Sequence, residues 1–259
     1  MVINQVVTLA INSALILGAV LMLGLSVFLL LEALSAVVLR SSFRKAKGDA
    51  ELPVQACQIA VLVPAHNEEI ELAATLGTLQ AQLQEDKDLA EAEIRVVVVA
   101  DNCTDATAAI ARSKGAIVIE RQDSIRLGKG YALDYGLAFL AAEPPDVVIF
   151  VDADCQVQSG VIAQLTRQVL ATGRPAQATY LMTTPAIASA KDAVSGFAFK
   201  VKNLVRPLGL SRLGLPCLLT GTGMAFPWAV IRSVNVASAD IVEDMKLSLD
   251  LTIAGSAPM

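Results

Sequence analysis

Val147-Val148-Ile149-Phe150-Val151 is an unbroken apolar run that ends in Asp152-Ala153-Asp154. Five large residues in succession, β-branched or aromatic, predict a strand buried on both faces, the pattern of a central strand in a parallel α/β sheet. Ligands of such sheets bind beyond the carboxyl ends of the strands, and an extended Asp-x-Asp sends both carboxylates to one side. Two hard oxygen ligands with open coordination positions suit Mg²⁺ or Mn²⁺ held partly by substrate phosphates. A plainer role for the same aspartates is to cap the following helix.

Upstream, residues 59–63 form a first predicted strand, and Pro64-Ala65-His66-Asn67-Glu68-Glu69 turns the chain into a helix with Leu72, Leu76, Leu79 and Leu83 on one face. Asn67 and Glu68 read equally well as N-cap and first-turn acid of that helix. A charged stretch over 84–93 leads to a second strand, 94–100, which ends in Asp101-Asn102-Cys103-Thr104-Asp105. An Ala-rich helix then runs to about Ser113 with Gly115 as its stop, followed by a third strand over 116–120. Gly128-Lys129-Gly130 closes a polar loop and opens a helix bearing Leu133, Leu137 and Leu140. Strand and helix alternate up to the Asp-x-Asp strand, which predicts a doubly wound, mostly parallel sheet with right-handed crossovers.

Two glycine-rich nucleotide motifs fail on inspection. A P-loop matched to Gly128-Lys129 needs glycine at position 123, where Asp123 stands, and a dinucleotide fingerprint starting at Gly221-Thr222-Gly223 needs glycine in place of Phe226. Phosphate charge would then fall to a metal, which returns the argument to Asp152 and Asp154. Downstream, residues 177–183 read as a strand, 191–206 as an amphipathic helix stopped by Pro207, and 208–219 as an apolar loop or membrane-surface segment. Residues 221–226 read as a close-packed turn and strand, with Pro227 suited to a helical first turn. Glu243-Asp244 precedes a short helix to about Ile253, and by composition is as much a helix start as a catalytic pair.

The chain has 259 residues, enough for one large domain or two small ones. A net charge of −5 and a pI near 5.0 argue against a nucleic-acid partner. The mean hydropathy of +0.58 is high for a soluble domain, and its excess lies at the N-terminus. Residues 6–31 carry no charge, enough to cross a hydrocarbon core of about 30 Å, and Glu32 at the inner edge is expected to reach the interface. Arg40, Arg44, Lys45 and Lys47 follow the run and no Lys or Arg precedes it, which predicts a single span with the downstream domain in the cytoplasm. Cys57, Cys103, Cys155 and Cys217 form no C-x-x-C pair and read as reduced thiols, and His66 is the only histidine.

Taken together these motifs resemble the GT-A domain of family 2 glycosyltransferases, the group of cellulose, hyaluronan and poly-N-acetylglucosamine synthases, over roughly residues 57–255. The resemblance implies an anchor over 1–40, a linker over 41–56 and a catalytic domain over 57–259. It implies that Pro64, His66, Asn67 and Glu68 contact a nucleotide, and that Asp101 with Asn102 meets a uracil ring. By the same resemblance Lys129 lies over the diphosphate, Asp152 and Asp154 hold Mg²⁺ or Mn²⁺, Gly221-Thr222-Gly223 underlies the acceptor sugar, and Asp244, beside Glu243, is the general base. The implied activity is inverting, metal-dependent transfer of a hexosyl or N-acetylhexosaminyl group from a UDP-sugar to a lipid or glycan acceptor at the inner or plasma membrane.

Polymerising members carry Gln-x-x-Arg-Trp after the base and then further membrane helices. Here the single tryptophan, Trp228, precedes Asp244 and the sequence stops at Met259. Donor binding without long polymer is therefore expected, with a partner subunit as one source of the missing elements. Two other readings stay open: a catalytically weak nucleotide-sugar-binding domain, and a sugar-nucleotide nucleotidyltransferase. The latter normally opens with a Gly-rich loop where Pro-Ala-His-Asn-Glu stands here.

Overall fold

The computed structural model describes residues 2–38, 57–183, 185, 189–240 and 242–259. Contacts divide the chain into two units, Met1–Lys45 with Leu181–Leu215, and Ala46–Tyr180 with Pro216–Met259. The basic cluster at Arg40, Arg44, Lys45 and Lys47 and the linker expected over 41–56 lie outside the described residues.

In the larger unit β1 (Gln58–Ala65), β2 (Glu93–Asp101), β3 (Ile117–Arg121) and β4 (Val147–Phe150) pair in parallel in the order β3-β2-β1-β4. Two further strands extend the sheet beyond β4. β5 is Ala176–Gln177 and β6 is Met224–Pro227; β6 runs antiparallel to both β4 and β5, which completes a mixed, mostly parallel sheet of six strands. The strand expected over 177–183 is thus only two residues long and starts one residue earlier. Its ladder stops because Gly223, next in register opposite Ala178, accepts the Ala178 amide at 2.8 Å but sends its own amide to the Phe150 carbonyl at 2.9 Å instead of back to β5.

Side-chain alternation along β1 divides the core. Ile59, Val61 and Val63 point to one face, covered by α2 (Leu72–Glu85), α3 (Thr107–Ser113) and α5 (Val161–Thr172). Ala60 and Leu62 point to the other, covered by α4 (Lys129–Leu140), the short α8 (Trp228–Ile231) and α9 (Glu243–Ile253). Leu72, Leu76 and Leu79 are fully buried on the first face and Leu133, Leu137 and Leu140 on the second, as their helical spacing predicts. Each such leucine contributes about 1.5–3 kcal/mol of transfer free energy. Phe150 of β4 meets Phe226 of β6 with ring centroids 5.0 Å apart, which joins the antiparallel extension to the parallel half. The helix after β1 starts later than the capping reading of Asn67 required: α2 begins at Leu72 with Glu71 as its N-cap, and Asn67 takes a left-handed φ of 55°.

In the smaller unit α1 (Val2–Val38) contains a 34-residue segment, Gln5–Val38, that is long and apolar enough to cross a membrane, the one such helix among the described residues. At 37 residues it is about 55 Å long, more than the ~30 Å of a hydrocarbon core. Two expectations are corrected here. Glu32 does not reach out to an interface: it is fully buried and accepts from Arg206 at 2.6 Å and 3.3 Å. Nor does Pro207 stop a helix. α6 (Ala190–Lys200) passes through a π-helical turn, Val201–Val205, into α7 (Arg206–Arg212), so that Pro207 sits in the first turn of α7, where its missing N–H costs nothing.

The close packing of α1 on α7 depends on Gly209. A β-carbon there would lie 2.1 Å from the Glu32 carbonyl oxygen, so only glycine allows the two backbones to approach this closely. Ser35 Oγ donates to the Gly209 carbonyl at 3.1 Å in the same crossing, and Arg212 caps the end of α1 by donating to the carbonyls of Ser35 and Ala36.

Candidate active site

β1 lies between β2 and β4, and the helices that follow β1 and β3 cover opposite faces of the sheet, so the chain reverses its winding at the β1/β4 boundary. A crevice opens there beyond the strand tips. It is a cleft of about 450 Å³, and its walls include Pro64, His66, Glu68, Asp101, Asn102, Lys129, Asp152 and Asp154, eight of the residues singled out from the sequence, with Leu127 and Ala132 as apolar lining. The tips of three parallel strands thus bring together side chains up to 90 positions apart in sequence.

The β1 tip is braced against the β2 tip. His66 Nδ1 donates to the Asp101 carbonyl at 2.7 Å; a carbonyl only accepts, so Nδ1 carries the proton and Nε2 is the other ring nitrogen. Asn67 is absent from the cleft wall. Its Oδ1 accepts the Thr104 amide at 2.8 Å and its own amide donates to Cys103 Sγ at 3.4 Å, so its part is to tie the two loops together. The Glu68 amide donates to Thr107 Oγ1 at 2.8 Å, and its carboxyl is raised by burial first and then by the charge of Asp154.

Asp101 is nearly buried. Its Oδ1 accepts from Arg121 Nη1 at 2.6 Å and from Asn102 Nδ2 at 3.1 Å. Asn102 also accepts the Asp123 amide at 2.8 Å, and its φ of 51° aims the side chain back over the strand end.

At the opposite wall Lys129, first residue of α4, pairs with Asp152, donates to the Gly221 carbonyl at 2.6 Å and stands 4.0 Å from Glu243. Burial raises the Asp152 carboxyl, and the Lys129 charge opposes that rise. Burial likewise raises Glu243. Thr222 Oγ1 accepts the Asp152 amide at 3.0 Å, and the Gly223 amide donates to the Phe150 carbonyl at 2.9 Å, so the 221–223 turn is fastened to the β4 tip. Gly221, Thr222, Gly223, Glu243 and Asp244 are not on the cleft wall itself but stand behind Lys129. A β-carbon on Gly221 would lie 3.6 Å from Asp244 Oδ2 and 3.7 Å from Lys129 Nζ.

Donor atoms of Asp152, Asp154 and Cys155 lie within 4.8 Å of one another. Burial pushes the Cys155 thiol up to about 11, so it stays protonated at neutral pH and donates to Asp154 Oδ1 at 3.5 Å. That leaves two carboxylates, one of them exposed, as the ligand set. Hard oxygen donors with open positions fit Mg²⁺ or Mn²⁺.

Three contributors escaped the sequence reading. Arg121 and Cys155 carry no motif signal, and Gln177, whose amide donates to Thr222 O and accepts from Thr220 N, fixes the 221–223 turn from 45 residues away.

Residues 60–179, which hold all but the first two residues of β1, the whole of β2 through β5 and the cleft wall, match the sequence model described as Glycosyl transferase family 2. This segment is similar to family 2 glycosyltransferase domains. The chain is 30% identical over 105 residues to 4,4'-diaponeurosporenoate glycosyltransferase of Staphylococcus haemolyticus, covering 39% of this chain and 25% of that protein. It is 35% identical over 111 residues to the low-salt glycan biosynthesis hexosyltransferase Agl6 of Haloferax volcanii, covering 43% of this chain and 24% of that protein. The chain therefore spans about a quarter of the length of these two curated relatives. Its fold is similar to that of the mannosyltransferase PcManGT from Pyrobaculum calidifontis, solved with GDP-Man and Mn²⁺, at a TM-score of 0.58 and 16% identity over 80% of this chain and 55% of that one. The GT-A architecture implied by the family resemblance is thus the one observed. Gly221, Thr222, Gly223, Glu243 and Asp244 lie beyond the family-matched segment.

Proposed function

We propose that the chain is a membrane-anchored glycosyltransferase that moves a hexosyl or N-acetylhexosaminyl group from a UDP-sugar to a lipid or glycan acceptor, with inversion at the anomeric carbon and with its catalytic domain on the cytoplasmic side. The observation that carries this reading is the convergence of Asp152, Asp154, Lys129 and Asp101 on one cleft at the switch point of a domain similar to family 2 glycosyltransferases. In this reading α1 is the anchor.

Asp101 accepts a hydrogen bond from the base, and Pro64, His66, Glu68 and Asn102 shape the nucleoside end of the cleft. Lys129 places its ammonium beside the diphosphate, where the leaving group gathers negative charge. Asp152 and Asp154 would hold Mg²⁺ or Mn²⁺, which when bound supplies further charge stabilisation for the departing diphosphate. The acceptor hydroxyl attacks the anomeric carbon from the side opposite the diphosphate, the bond to the diphosphate oxygen breaks, and Asp244 takes the hydroxyl proton. Gly221, Thr222 and Gly223 form the floor on which that acceptor rests, and Glu243 sets the field around Lys129.

UDP release from a panel of UDP-sugars, assayed on the detergent-extracted full chain with Mn²⁺, with Mg²⁺ and after chelation, tests this reading. Metal-dependent release lost in Asp154→Ala is the expected result. Absence of both release and nucleotide binding with either metal would overturn it.

A further inference from the structure

Among the described residues Arg121 is the one buried cation; it stands behind the proposed nucleoside end of the cleft, and no step above uses it. It stands opposite Asp101 in the β2/β3 register, and its guanidinium, 7% exposed, is held on every side. Nη1 donates to Asp101 Oδ1 at 2.6 Å, Nη2 donates to Asp123 Oδ2 at 3.1 Å and to the Arg126 carbonyl at 2.7 Å, and the group sits 5.8 Å from the centre of the Tyr131 ring. Held at four points, it cannot follow a movement of the Asp101 carboxylate; the carboxylate must conform to it.

The consequence falls on the two oxygens of Asp101. Oδ1 is saturated by Arg121 and by Asn102 Nδ2. Oδ2 makes no hydrogen bond among the described residues, and Asp101 lines the cleft. A carboxylate free to turn would offer two acceptors, which suits the paired ring and amino N–H donors of guanine. A carboxylate pinned through Oδ1 offers one acceptor, which suits the single ring N–H of uracil and opposes the bare ring nitrogen of cytosine.

We propose that Arg121 is the positioning residue that sets nucleobase selectivity: by locking Asp101 in one orientation it presents a single acceptor and selects a uracil nucleotide. The inference rests on the proposed use of the cleft as a nucleotide-sugar site and names what decides its base. Arg121 is not on the cleft wall, where Asp101 is, so its proposed effect is exerted through Asp101. It also holds the Arg126 carbonyl, three residues before Lys129, so the loop that delivers Lys129 is fixed by the same group.

The test is a change of selectivity, which a residue needed only for stability would not produce. On the full chain with Mn²⁺ held constant, calorimetry is expected to give UDP at least about tenfold tighter than GDP or CDP, the order of one misplaced hydrogen bond to a charged group. In Asp101→Asn the introduced amide must turn its oxygen to Arg121 and its NH₂ to the cleft, so the acceptor becomes a donor and CDP should match or exceed UDP. Adding Arg121→Met to Asp101→Asn frees that amide to rotate, and the UDP and CDP affinities should converge to within about threefold. Asp101→Asn is isosteric and keeps the Arg121 bond, so it retains the fold even if the double variant does not. Persistent UDP preference in Asp101→Asn, or equal binding of the three diphosphates by the unmodified chain, would overturn the assignment of Arg121 while leaving the transferase reading intact. No binding of any of the three would overturn the transferase reading, and this inference with it.

Discussion

Arg206 Nε donates to Glu32 Oε2 at 2.6 Å, across 174 positions of sequence, and the carboxylate it meets is fully buried while the guanidinium keeps 41% of its side chain exposed. The two partners are therefore not equivalent. Removing the arginine strands a buried charge, which costs about 3–5 kcal/mol, whereas removing the carboxylate leaves a guanidinium that water can still reach. Arg206→Ala should lower the melting temperature of the detergent-extracted protein clearly more than Glu32→Ala does, and Glu32→Gln, which keeps an acceptor in place, should be the mildest of the three. Equal losses from the two alanine variants would show that the pair is solvated.

Gly130 follows Lys129 in the first turn of α4, and a β-carbon there would meet the carbonyl oxygens of Ser238 and Val236 at 2.6 Å and 2.7 Å and the Ser238 amide nitrogen at 2.8 Å. All three are backbone atoms, so the neighbouring loop has no side chain to swing away. Gly130→Ala is expected to cost about 1–3 kcal/mol, the range for overpacking, and to lower the melting temperature by several degrees. Lys129 should be displaced with it, so UDP affinity should fall as well. Gly77→Ala is the control, since nothing lies within 4 Å of a β-carbon at that position.

Asp123 holds the loop that precedes Lys129. Its Oδ1 accepts the amides of Ile125 and Arg126 at 3.0 Å and 2.9 Å, and these bonds, the Arg126 amide first, hold its carboxyl down at about 2, against an ordinary value of 3.8. A folded-state value below the unfolded one stabilises the fold above the unfolded pKa and loses that contribution as pH falls towards the folded one. Hydrogen-exchange protection of residues 122–127, corrected for intrinsic rates, should therefore decline between pH about 4 and about 2. Asp123→Asn should start from lower protection and show little of this dependence.

How much of this was legible in the sequence depends on the range of the interaction. The β4 run, the leucines of α2 and α4 and the Asp-x-Asp at a strand tip announce themselves locally, because burial on a strand or one helical face leaves a periodic trace. Asn67 misled because an Asn before a helix is usually a cap, whereas here the left-handed turn aims its side chain at Thr104 instead. Pro207 misled for a related reason: a proline that ends one helix is equally suited to begin another when a π-helical turn intervenes. The bonds of Arg121 to Asp101, Gln177 to Thr222 and Glu32 to Arg206 join residues 20, 45 and 174 positions apart, and no spacing rule encodes them.

The last prediction separates binding from chemistry. Lys129 joins Asp152 to the Gly221 carbonyl and stands 4.0 Å from Glu243, so the acidic pair at the start of α9 is linked to the end of the cleft proposed to take the diphosphate. Of that pair, Asp244 has Oδ1 committed to the Met245 amide at 2.8 Å, and Oδ2 is the oxygen that faces Gly221. In the proposed reaction a base held in that way would serve an acceptor hydroxyl resting on the 221–223 turn. Asp244→Asn keeps the Met245 bond and the volume but removes the proton acceptor, so transfer should fall by about 10²–10⁴-fold while UDP affinity stays within about twofold. Glu243→Gln should act differently, weakening the hold on Lys129 and raising the donor KM more than it lowers kcat. Calorimetry with UDP and steady-state UDP release with acceptor present measure the two effects independently. A parallel loss of UDP affinity and transfer in Asp244→Asn would move Asp244 from proton acceptor to donor binding, and the base would have to be sought in Glu243.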